Sequence, residues 1–129
     1  MLKAFHHIAI ICRDYPLSKY FYHEILGLAI IHEHYRRDRD SYKLDLALPG
    51  GGQIELFSFT NPPARVSQPE ACGLRHLAFA VESLEPVIDH LEANDIVVEP
   101  IRIDPITNQR FTFFKDPDDL PLELYETLR

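Results

Sequence analysis

"HIAIICRDYP", residues 7–16, is answered 69 positions later by "HLAFAVESLE", residues 76–85. Both stretches run histidine, apolar, alanine, apolar, then turn polar ahead of an amphipathic segment. Self-similarity at a fixed spacing marks a repeated structural unit. Apolar alternation predicts a short strand, and the segment after it predicts a helix. Leu17, Phe21, Ile25 and Leu28 recur near helical spacing in the first copy, as Leu84, Val87, Ile88 and Leu91 do in the second. Asp14 and Ser83 stand where N-caps belong, and Gly27 and Asn94 stand near the C-terminal stops.

Three β-like runs follow each helix. The first set covers about 29–35, 41–48 and 53–59, with "PGGG" (49–52) turning between the last two. The second covers about 97–103, 110–115 and 121–126, with "DPDD" (116–119) as the matching turn. The Pro-rich "NPPARVSQPEACG" (61–73) joins the halves as an extended linker. The expectation is an α+β fold of two tandem βαβββ modules in a single domain over 1–129, with module one about 1–60 and module two about 74–129.

Composition narrows the function. The chain has 46% hydrophobic and 26% charged residues, which suits a globular domain able to bury a core. A net charge of −7 with no basic stripe disfavours nucleic acid, because "YRRDR" (35–39) is interrupted by acid. No run is long enough for a membrane span, and the N-terminal apolar run is too short for a signal peptide. Cys12 and Cys72 lie in no metal or redox motif, which reads as a reducing, cytoplasmic setting.

The repeat also selects chemistry. His7, not its neighbour His6, aligns with His76. Each module ends on an acid within an apolar strand, Glu55 in "QIELF" and Glu123 in "PLELY", 68 positions apart. Strand alternation sets Ile8, Ile10, Ile54, Leu56, Leu77, Phe79, Leu122 and Leu124 on one apolar face. His7, Glu55, His76 and Glu123 fall on the other. A carboxylate inside a sheet is costly unless paired or bound to a cation. Two imidazoles and two carboxylates in matched positions therefore predict one divalent ion per site, among Zn2+, Ni2+, Co2+, Mn2+ and Fe2+. Four protein ligands on a six-coordinate ion leave two neighbouring positions, which could hold two waters or two vicinal oxygens of a small-molecule substrate.

With "HHIAI", "FYHEILGL", "QIELF", "GLRHLAFAVESLE" and "FTFFKDPDDLPLELYE", the whole chain resembles the vicinal oxygen chelate superfamily of glyoxalases, bleomycin-resistance proteins and extradiol dioxygenases. That resemblance implies a cupped mixed sheet around a metal held by His7, Glu55, His76 and Glu123, usually in a homodimer. An acid at position 55 is similar to bacterial glyoxalase I. The implied activity is a metal-dependent lyase or isomerase in which Glu123, and second to it Glu55, moves a proton between adjacent carbons. Glyoxalase I usually has an Arg four residues after its first ligand and an Asn four residues after its second, both holding glutathione. Here those positions are Ile11 and Phe59, so standard glutathione-dependent turnover is not expected.

Two rival readings stay open. His7, His76 and Glu123 alone make a 2-His-1-carboxylate set of the extradiol iron dioxygenase kind, against which Glu55 weighs. A non-catalytic small-molecule binding or resistance protein shares the implied fold but generally lacks the ligands. Phe57, Phe59 and Tyr125 share the ligand parity and are candidate substrate-binding walls, with Arg110 a candidate for an anionic substrate group or a surface ion pair. His32 and His34 read as water-facing residues of an edge strand rather than a second metal pair.

Overall fold

Asp14 begins the first helix by accepting a hydrogen bond from the Leu17 amide at 3.1 Å. In the computed structural model, which describes residues 1–127, this helix is α1 (Tyr15–Lys19) and runs on as a π-helical segment over Tyr20–Ile25. The wider winding appears in the Leu26 amide, which donates to the carbonyl of Phe21, five residues back. It turns Phe21 and Tyr22 together into the core, where both are buried. Gly27 then takes a φ of +74°, ending the helix in a conformation that suits glycine.

The chain forms two compact units, residues 1–64 and residues 65 onward. The first holds β1 (His7–Cys12), α1, β2 (Ala29–Arg36), β3 (Ser41–Ala47) and β4 (Gln53–Ser58). The second holds β5 (Leu77–Val81), α2 (Leu84–Ala93), β6 (Arg102–Ile103), β7 (Arg110–Lys115) and β8 (Pro121–Glu126). Each unit is thus a βαβββ module, and the chain is α+β.

Both sheets have the same strand order, β1-β4-β3-β2 and β5-β8-β7-β6. In each, the first strand lies parallel to the fourth and the remaining pairs are antiparallel. The predicted apolar face is the core face. Ile10, Leu44, Leu46, Ile54 and Leu56 are buried in the first unit, and Phe114, Leu122 and Leu124 in the second. Their helices pack on β4 and β8 respectively.

Two expectations change. The strand predicted over 97–103 shrinks to Arg102–Ile103. Ahead of it, Glu99 holds β7 only locally, its amide donating to Phe113 and its carbonyl accepting from Thr112 Oγ1. Pro100 then has no amide hydrogen to offer a ladder. The linker also differs in its second half, since residues 65–73 belong to the second unit.

Ser83 takes an extended N-cap backbone but supplies no side-chain cap. The Leu84 amide donates instead to Glu126 Oε2 at 3.1 Å, from the end of β8. Arg110 binds the same carboxylate at 2.7 Å and Glu85 at 2.8 Å, tying β7, β8 and the start of α2 together. The bidentate guanidinium holds the Glu85 carboxyl down at about 2 and draws Glu126 below its usual range. A carboxyl whose folded pKa is depressed stabilises the fold above its ordinary value of 4.5 and loses that contribution as pH falls toward the folded value. Arg110→Met should therefore lower the melting temperature at neutral pH, and the gap to wild type should narrow between about pH 5 and pH 3 in circular dichroism melts.

Candidate metal centre

Parallel pairing is what sets an acid beside each histidine. Ala9 is the register partner of Glu55 across β1 and β4, and Ala78 is the partner of Glu123 across β5 and β8. The small alanines leave room over the strand for the histidine two residues earlier. His7 Nε2 accordingly stands 3.5 Å from Glu55 Oε1, and His76 Nε2 stands 3.1 Å from Glu123 Oε1. The carboxylate side chains retain only 13% and 11% exposure, against 41% and 30% for the imidazoles. Acids enclosed to that degree need a cationic partner.

The spacing suits a shared cation. Two donors about 2.1 Å from one ion stand about 3.0 Å apart at a right angle and about 3.4 Å apart at a tetrahedral one. Both pairs match a bidentate edge of an N/O metal site. Among the described residues no three His, Cys, Asp or Glu side chains gather as a metal-holding group. Each unit supplies two donors.

The surroundings of the two pairs differ. Asp45 lies opposite Glu55 on β3, and Lys43 Nζ bridges the acids at 2.8 Å from Asp45 and 3.7 Å from Glu55. The hydrogen bond to Asp45 raises the Lys43 pKa, with the charge of Glu55 adding to it. In the second unit Phe113 occupies the position opposite Glu123, and its ring meets that of His76 edge-on at 5.1 Å. A cavity of about 460 Å³ opens beside this pair, with Phe111 and Phe113 in its wall.

Of the other predicted site residues, Phe57 and Phe59 stack at 6.3 Å in the first unit, with the Arg36 guanidinium over both rings. Tyr125 stacks on Phe111, and its hydroxyl is engaged by Asp104 and Thr107. Arg110 does not join the His76–Glu123 pair. Its parity is that of the buried Thr112 and Phe114, and its charge is spent on Glu85 and Glu126. His32 and His34 are exposed on β2, the sheet edge.

His6 has no counterpart histidine in the repeat, which aligns His7 with His76. It precedes β1, where alternation does not apply, and its Nδ1 lies 2.9 Å from His7 Nδ1. That hydrogen bond orients the His7 ring and directs Nε2 toward Glu55.

Residues 4–124 match the Glyoxalase/Bleomycin resistance protein/Dioxygenase superfamily. The chain belongs to that superfamily. It is 60% identical to the uncharacterized protein YwkD of Bacillus subtilis over 98% of each chain. It is equally similar, at 60%, to the uncharacterized protein YaeR of Escherichia coli over 97% of each. The crystal structure of a glyoxalase family protein from Enterococcus faecalis is 48% identical, with a TM-score of 0.89 over 96% of this chain and 98% of that one.

A ligand role for His7 and His76 and a supporting role for His6 are separable by mutation. Alanine at His7 or His76 should abolish tight binding of a divalent ion, whereas His6→Ala should weaken it by about tenfold, as loss of a supporting hydrogen bond does. Metal content after dialysis against graded chelator reads all three variants. Loss of metal in His6→Ala but not His7→Ala would reverse the assignment.

Proposed function

We propose that the protein is a divalent-metal-dependent lyase or isomerase of the glyoxalase kind, acting on a small substrate that presents two adjacent oxygens. The observation that carries this reading is the recurrence of one His–Glu pair, at one register, in both modules. In the proposal His7 with Glu55 and His76 with Glu123 are the two halves of one ligand set, completed within one chain or across the dimer. An ion held there supplies Lewis acidity toward a bound carbonyl and makes the neighbouring C–H easier to ionise.

The chain's own groups do the rest. Glu123 is the proton carrier between adjacent carbons, because no Lys or Arg ion-pairs it among the described residues and its lone pairs remain available. Glu55 is second to it, since Lys43 draws on its other oxygen. Phe57, Phe59 and Tyr125 contribute apolar walls that keep water from the reacting carbon.

The proposal excludes the usual thiol partner. Ile11 is 55% exposed and offers no hydrogen bond where glyoxalase I has a guanidinium, and Phe59 is an apolar ring under Arg36. Turnover of the methylglyoxal–glutathione hemithioacetal should stay well below a kcat/KM of about 10^5 M−1s−1, with metal bound. Metal analysis of gently purified protein, run beside a panel of 2-oxoaldehydes with and without thiol, tests the reading. One divalent ion per chain and chelator-sensitive turnover of a vicinal-oxygen substrate support it. Metal-free protein that stays inactive after every divalent ion is supplied would sink it.

The homodimer is part of the proposal, supported by exposed apolar side chains on β2 and its neighbours, Ile30, Ile31, Tyr35 and Tyr42. Sedimentation equilibrium at micromolar concentration should give the mass of two chains.

A further inference from the structure

Three guanidinium groups reach the cavity beside His76 and Glu123, those of Arg65, Arg75 and Arg102. Two are answered by acids that also line it. Arg75 Nε binds Glu70 at 2.7 Å, and Arg102 Nη2 binds Glu99 at 3.3 Å. Arg65 differs. Its Nε donates to Ser67 Oγ at 3.0 Å, and its Nη2 donates to the carbonyls of Leu74 at 2.6 Å and Arg75 at 3.0 Å.

All three acceptors of Arg65 are neutral. Among the described residues no carboxylate pairs with it, and its Nη1 has no acceptor. This half-buried guanidinium carries a full charge with no ion pair from the protein among the described residues, which leaves it open to an anionic ligand. The two N–H donors of Nη1 are left to meet a carboxylate or phosphate oxygen, and three fixed bonds mean that little side-chain entropy is lost when one arrives. The two carbonyls it holds lead directly into His76, so the charge and the metal-ligating imidazole share one backbone support. Arg102, spread over Phe111 and Phe113 at 5.0 and 5.4 Å, supplies a second cation on the same wall.

We propose that Arg65 seats an oxyanion, so that the substrate is an acid or phosphate ester with a charged tail at Arg65 and its adjacent oxygens at His76 and Glu123. Only the chelating end rests on the metal reading above.

Two matched ligand pairs test it by calorimetric titration of the full chain, metal-free and Mn2+-loaded. One pair is 3-phosphoglycerate with glycerate, the other 2-oxoglutarate with 2-oxopentanoate, and metal content is measured on the same samples. The tailed member of at least one pair should bind about tenfold tighter than its partner, as a hydrogen bond to a charged group warrants. The pair that discriminates tells phosphate from carboxylate. Arg65→Met should bring the ratio to within about twofold while the melting curve shows a folded protein. If that variant does not fold, Arg65→Lys, which keeps the charge but cannot make the three anchoring bonds and still present a free Nη1, should cut the ratio by at least about threefold.

Equal affinity within both pairs in wild type, no binding by any of the four, or an undiminished ratio in the folded variant would each overturn the proposal. A chain that takes up no Mn2+ yet keeps the tail preference would sink the metal reading and leave this one standing. A chain that loads Mn2+ and binds all four ligands alike would do the reverse.

Discussion

A carboxylate set into a sheet with about a tenth of its surface in water is the constraint on which each module turns. Each carboxylate has a histidine at 3.1 to 3.5 Å; Glu55 adds only Lys43 at 3.7 Å, and Glu123 has no Lys or Arg ion pair among the described residues. The fold accepts this cost twice, at equivalent places, when a leucine in either position would remove it. Repetition of an unfavourable choice argues for use, because random drift would relieve one copy. The pairing that creates the juxtaposition is parallel and closed by a helical crossover, so its register cannot slip by shortening a hairpin.

The modules solve the same problem with different surroundings. Beside Glu55 the neighbours are charged, Asp45 and Lys43, and the ammonium takes part of the carboxylate's field. Beside Glu123 the register partner is a ring, Phe113, and no Lys or Arg ion-pairs the acid among the described residues. Two donors of one chemical type are thereby made unequal, one buffered and one exposed to whatever the cavity holds. An internal duplication that keeps the His–Glu pair and varies its neighbours yields two chemically distinguishable pairs.

Most of the architecture was legible because it was written twice. A strand motif, helix and turn that recur in order confirm each other, and the apolar parity of Ile54, Leu56, Leu122 and Leu124 is the burial observed. The same parity already placed Arg110 with Thr112 and Phe114, on the face that packs on α2, so its ion pairs were the better of its two readings. Features outside the repeat were harder. The contact of His6 with His7 is one, because His6 stands before β1 and has no counterpart histidine in the second module. Arg65 carried no signal at all, since its importance comes from carbonyls nine and ten residues away that only a folded loop brings near. The strand read over 97–103 ran through Pro100, whose missing amide hydrogen limits it to Arg102–Ile103.

The segment between the modules is more than a tether. Residues 65–73 count with the second unit, and several of them wall the cavity beside His76. A dissection of the gene at the natural-looking boundary, after Gly73, would deliver a second module with all its strands but an open flank and no Arg65. A dissection after Ala64 keeps that wall whole. Insertions follow the same rule: a flexible spacer is tolerable between Phe59 and Ala64, whereas one placed among residues 65–75 would loosen the backbone that carries an imidazole into position.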